Sequence, residues 1–153
     1  MRQGQTLVFS SYGQDPLYHQ GVVFNYLRTQ AKGLIPSECR VAVYTDNPSF
    51  YKDLPLQVHN ISGSVNEWTL DGKYHFRIKN LVLQEALEHY PGSVIHLDSD
   101  ILVEKSLNLF FNLINDKSAL LYLNEGSVLK KKKPYVDLIQ RESNDFLKYY
   151  ADL

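Results

Sequence analysis

Two kinds of apolar pattern alternate along this chain, and their alternation restricts the fold more than any other feature. Short runs rich in β-branched and aliphatic residues read as strands: "TLVFSS" (6–11), "RVAVYT" (40–45), "LQVHNIS" (56–62), "SVIHLDSDILV" (93–103) and "SALLYLN" (118–124). Longer stretches with helical periodicity separate them. The first predicts a helix over about 17–32, with Val23, Tyr26 and Leu27 on its apolar side and Gly33 as its stop. "HFRIKNLVLQEALEHY" predicts a second from about His75, with Ile78, Leu81, Leu83, Ala86, Leu87 and Tyr90 facing the core and Pro91 and Gly92 closing it. A short helix over 106–115 has Ser106 as N-cap, and a last one runs over 143–150. Residues 46–48 and 63–73 read as loops, and the lysine run 130–133 with Pro134 interrupts the pattern. The order β-α-β-β-α-β-α-β implies an α/β fold with a mostly parallel sheet and helices on its faces. Its 153 residues suffice for one domain with a real core.

The strand "VIHLDSDILV" carries two acids, Asp98 and Asp100, between apolar flanks. A buried lone carboxylate is costly, so the pair calls for a cation, hydrogen-bonding partners or an open cleft. In an extended strand, residues two apart share a side and lie roughly 6.5–7 Å apart. Asp98 and Asp100 would then point together, Ser99 would point away, and His96 would share their side. Two like charges so placed favour a hard divalent cation with oxygen ligands, Mg²⁺ or Mn²⁺. Ligands of parallel α/β sheets bind beyond the carboxyl ends of the strands. Three loops fall at such ends: residues 10–13, 45–47 and 98–100. An EF-hand fails, because Leu102 and Val103 stand where that loop needs an acid or amide and a glycine. An aspartyl-phosphate phosphatase would place its acids early in the chain. A nucleotidyltransferase would bring a Gly-rich phosphate loop, and "SSYGQDP" has one Gly.

The segment "FRIKNLVLQEALEHYPGSVIHLDSDILVEKSLNLFF" resembles the central part of nucleotide-sugar glycosyltransferases of the GT-A fold, and is most similar to the group related to glycosyltransferase family 8. The likeness is specific over 77–109 and architectural over about 6–124. It implies a Rossmann-like nucleotide-binding sheet with helices on both faces. It also implies transfer of a sugar from a nucleotide-sugar donor, a UDP-sugar, to an acceptor the sequence does not identify, with Mn²⁺ or Mg²⁺ at the diphosphate as Lewis acid. In the family the second acid of D-x-D binds the metal, which implies Asp100. The first contacts the ribose or the metal shell, which implies Asp98, and Ser99 is compatible with the middle position. Arg77 and Lys79 match the basic position of the preceding helix. They project roughly 200° apart, so only one suits the cleft, and the bidentate fork of Arg77 is preferred. The loop after the first strand implies contacts to the base from Ser10, Ser11, Tyr12 and Gly13. Asp46, after the second strand, either reads the base or closes a turn.

The family completes its metal shell from a later segment, often with His, whereas every histidine here precedes Asp98. A full catalytic domain would run on the order of 100 residues further. The expectation is therefore a single GT-A-like domain over 1–153, incomplete at its C-terminus, with weak metal affinity. The competing function class is a non-catalytic nucleotide- or metal-binding remnant, or an interaction domain. Sixteen basic against seventeen acidic residues give no electrostatic case for a nucleic-acid partner. Cys39 is the sole cysteine, so no internal disulfide forms. No run approaches the roughly 20 apolar residues of a membrane span, and the N-terminal apolar run is too short for a signal peptide. A cytoplasmic location is expected, with no transmembrane segment.

Overall fold

The structure, a computed structural model, describes residues 4–114. Its elements are β1 (Gln5–Ser11), α1 (Pro16–Ala31), β2 (Arg40–Thr45), a 3-10 turn (Pro48–Tyr51), β3 (Gln57–Asn60), α2 (Val65–Trp68), α3 (Arg77–His89), β4 (Ser93–Leu97) and α4 (Asn108–Phe111). The four strands form one all-parallel sheet in the order β3-β2-β1-β4. The fold is therefore α/β with a parallel sheet, as the alternation of patterns predicts. The strand expected over 118–124, the helix over 143–150 and the lysine run 130–133 lie outside the described residues.

β1 and β2 are the inner strands, and β1 links the two halves of the sheet. Leu7 pairs with Val41 on one side and Ile95 on the other, and Phe9 with Val43 and Leu97. Successive side chains leave the sheet on opposite faces. Leu7, Phe9 and Val43 pack with Val22 and Tyr26 of α1 and with Tyr51. Val8, Ala42 and Tyr44 pack on the other face with Ile78, Val82, Ala86 and Tyr90 from α3 and its end. Helices thus cover both faces. Near-continuous apolar strands suit a sheet buried on both sides.

α1 begins at Asp15, whose carboxylate accepts the backbone N–H of Leu17 at 2.9 Å, with Pro16 in the first helical turn. It ends at Gly33, whose φ of 64° is the left-handed conformation that glycine adopts without a Cβ penalty. Its buried stripe differs from the expected one. His19, Val22, Asn25, Tyr26 and Thr29 are buried, while Leu27 is exposed. α3 buries half of its expected core side, Ile78, Ala86 and Tyr90, and adds Val82. Ile78, Val82, Ala86 and Tyr90 are buried at four-residue spacing, Leu81 and Leu83 are half-buried, and Leu87 is exposed. A helix lying flat on a sheet buries one narrow stripe, and the broader apolar set read from sequence exceeds it.

The largest departure is at the acid pair. β4 ends at Leu97, and residues 98–100 form a turn closed by the Ile101 N–H on the Asp98 carbonyl at 3.2 Å. The strand expected to continue to residue 103 does not. Instead the chain bends beneath α1, where Val103, Leu107 and Phe111 join the α1-side core. The Arg28 guanidinium donates to the Val103 carbonyl at 2.7 Å, and the Leu107 N–H donates to the Leu34 carbonyl at 2.9 Å. α4 is shorter than expected and has no side-chain cap bond at its first position; Ser106 Oγ accepts the Asn108 N–H at 3.3 Å. Residues 63–73, expected to be irregular, contain α2 and then three left-handed residues, Leu70, Asp71 and Gly72.

Candidate functional site: a cleft at the ends of β1 and β4

The chain moves outward from β1 to β2 and β3, then returns to place β4 on the far side of β1. The two crossovers lie on opposite faces, α1 on one and α3 on the other. A crevice opens above adjacent strands at such a reversal. Here it is a cleft of about 840 Å³, walled by residues 10–13 after β1, 98–100 after β4, the start of α1, the N-terminal part of α3 and the 65–76 segment. That volume is in the range of small-molecule sites.

Ser10, Tyr12, Gly13, Lys79, Asp98, Ser99 and Asp100 all line the cleft, whereas Arg77 and Asp46 do not. The preference for Arg77 over Lys79 is reversed. Arg77 donates to the Glu67 carbonyl at 2.8 Å and the Trp68 carbonyl at 3.4 Å, so it satisfies carbonyls at the end of α2. Lys79, nearly half a turn round α3, places Nζ 2.7 Å from Asp98 Oδ2. The side chains are 33% and 38% exposed, so the pair adds at most about 1 kcal/mol to stability. The same ammonium lies 5.6 Å from the centre of the Phe76 ring.

The 98–100 turn is held by α1. Asn25 is buried, and its amide N–H donates to the Ser99 carbonyl. That carbonyl can only accept, which fixes the orientation of the amide. One turn earlier, Gly21 leaves the space the turn occupies: a Cβ there would lie 2.8 Å from the Ser99 oxygen. The turn geometry replaces the expected strand geometry as the reason the two acids sit at the cleft. Asp100 is exposed and Asp98 half-buried.

The loop after β1 is held just as firmly. The Gly13 N–H donates to Asp46 Oδ2 at 2.9 Å. His19 Nε2 lies 3.2 Å from the Gly13 carbonyl, which makes Nε2 the donor and leaves Nδ1 to accept from Ser11 Oγ at 2.8 Å or Tyr51 Oη at 3.2 Å. Asp46 thus braces the loop after β1 from across the fold rather than closing its own 46–48 turn, where the Asn47 N–H bonds Thr45 Oγ1, and the Gly13 N–H is already used. Gly13 has φ of 98° and open space where a Cβ would point. The Tyr12 hydroxyl donates to the His75 carbonyl at 2.9 Å, pinning its ring against the α3-side core. Burial, and secondarily the Asp98 carboxylate, push that hydroxyl up to about 12, so it stays a neutral donor. His96 lies behind Ser10, with Nε2 3.0 Å from Ser10 Oγ. Burial drives its imidazole down to about 4; nearby Asp98 opposes this and Lys79 reinforces it.

Sequence reasoning missed Gly21, Asn25 and His19, which look like ordinary helix residues, and the rim formed by Asn66, Thr69 and Asp71. The signal for His19 and Asn25 is polar residues within the buried stripe of α1, and for Gly21 a glycine in the middle of a helix. Among the described residues no three His, Cys, Asp or Glu side chains come together to hold a metal ion. Asp98 and Asp100 still fit a hard divalent ion of the Mg²⁺ or Mn²⁺ type, since Mg²⁺ commonly takes one or two carboxylates and fills its other positions with water and phosphate oxygens. Among the described residues no helix is long and apolar enough to cross a membrane. Comparisons of the chain with protein-family models, with curated proteins and with solved structures found no match.

Proposed function

We propose that this cleft binds the diphosphate of a nucleotide-sugar, a UDP-sugar being the first candidate, and that the chain is a glycosyltransferase of GT-A type that moves the sugar to an acceptor. The observation that carries the reading is the meeting, at the reversal of strand order, of the 98–100 carboxylate turn, the Lys79 ammonium and the fixed ring of Tyr12. Parallel sheets take nucleotides at that place, and each group has a matching part of the ligand. Asp98 and Asp100 would hold Mn²⁺ or Mg²⁺, which when bound offsets negative charge on the departing nucleoside diphosphate. Lys79 supplies a further positive charge beside it. Tyr12 offers a ring face whose position is set by its own hydroxyl bond. The His19 and Asp46 bonds to Gly13 keep the β1 loop in place without a ligand, which lowers the ordering cost of binding.

The test is release of UDP from UDP-sugars by the full chain with Mn²⁺. Turnover that Asp100→Ala abolishes supports the reading, and turnover unchanged in that variant removes Asp100 from the chemistry. The second reading, a domain that binds nucleotide and metal without turnover, draws on one observation: the described residues offer no third metal-ligating side chain beside the pair. It predicts Mn²⁺-dependent UDP binding with no sugar release.

A further inference from the structure

Resting on that reading of the cleft, we propose that Lys79 is an exchangeable counter-ion. In the empty cleft it occupies Asp98, and it moves to the diphosphate when metal and nucleotide enter, so that the two bind as one complex and the metal binds poorly alone.

The geometry carries this in three steps. Asp98, half of the acid pair, is already neutralised by Lys79 at 2.7 Å. A divalent ion approaching Asp98 meets a fixed positive charge on its chosen ligand, and like charges at such a distance repel. Metal alone must therefore displace the ammonium and leave it unpaired beside a dication. A diphosphate arriving with the metal removes that penalty, because its oxygens accept the released ammonium in the same cleft.

Lys79 also has room to move. Its side chain is about one-third exposed, and no other hydrogen-bond partner holds the ammonium among the described residues. In that same position it stands 5.6 Å from the centre of the exposed Phe76 ring, a favourable neighbour for a cation on the cleft wall. An arginine anchored as Arg77 is, by two carbonyls, could not serve this way.

By linkage, metal and nucleotide each raise the other's affinity by the same factor. The proposal is that Lys79 supplies much of that factor. Titration calorimetry with the full chain tests it, using Mn²⁺ alone, UDP alone, and Mn²⁺ with saturating UDP. In the parent protein Mn²⁺ alone should bind weakly and UDP should tighten it. Lys79→Met should tighten Mn²⁺ alone by about tenfold and reduce the coupling by a similar factor. Lys79→Arg, which keeps the charge, should retain weak metal binding. If the parent binds the Mn²⁺–UDP pair but Lys79→Met changes neither the affinity for Mn²⁺ alone nor the coupling, the exchange is overturned and the diphosphate reading stands. If the parent binds no Mn²⁺–UDP at all, the diphosphate reading falls and the exchange with it.

Discussion

Asn25 and Gly21 do more to place the acid pair than any residue beside it. An alanine at a helical glycine ordinarily adds stability, about 1 kcal/mol. At Gly21 the added methyl would meet the Ser99 carbonyl at 2.8 Å and Ser99 Cβ at 3.3 Å, so the turn must shift. Gly21→Ala should therefore destabilise the chain by about 1–3 kcal/mol in urea unfolding, and a gain in stability would contradict the packing described. Asn25→Asp removes the donor to Ser99 while keeping the size, and should also weaken Mn²⁺-dependent UDP binding. Asp100 is the opposite case. It is exposed, so Asp100→Ala should leave the unfolding free energy within about 0.5 kcal/mol of the parent while weakening metal-dependent binding. A matched loss of stability would point to a structural role instead.

Between elements, the two helices contribute differently. α3 is held to the sheet by Ile78, Val82 and Ala86. Val82→Ala should cost about 2 kcal/mol, from lost burial and the cavity left behind, whereas Leu87→Ala should cost under about 0.5 kcal/mol because Leu87 is already exposed. Reversed magnitudes would mean the helix is rotated. This pair also marks what was legible in advance. Strand and helix order, parallel pairing and the position of the loops at strand ends follow from short β-branched runs alternating with helical periodicity. The α3 face followed in part, through Ile78, Ala86 and Tyr90, but the α1 face did not, because α1 buries His19 and Asn25, whose partners Ser11, Tyr51 and Ser99 lie on other elements. The sequence brings Asp98 and Asp100 to the cleft, but not in the setting it implies: Ile101 and Leu102 read as strand residues, yet α1 captures the Ser99 carbonyl before the strand can continue. The choice between Arg77 and Lys79 depended on where α2 ends, and no local pattern announces that four-residue helix.

Across the whole molecule, the cleft and the core share a pH dependence. Burial holds His96 neutral, down to about 4, and burial with a smaller contribution from His89 lowers the half-buried His59, which stacks on Tyr44 at the edge of the α3-side core. Each imidazole binds a proton more readily in the unfolded chain, at its ordinary value near 6.5. Stability is therefore full above about pH 6.5 and declines as pH falls toward the folded value, near 4 for His96. The fall from pH 7 to pH 5 should cost about 2 kcal/mol of stability through His96, with His59 adding in the same direction. Urea midpoints at the two values check this, and His96→Gln should flatten the profile. The cleft at the reversal of strand order, with carboxylates and ammonium on its walls, is the proposed nucleotide site. Amide chemical-shift mapping of the full chain with Mg²⁺ and UDP tests it most directly. The account predicts the largest shifts at residues 10–13, 79 and 98–100, lost in Asp98→Asn together with Asp100→Asn. Shifts centred elsewhere, or equal in that double variant, would contradict it.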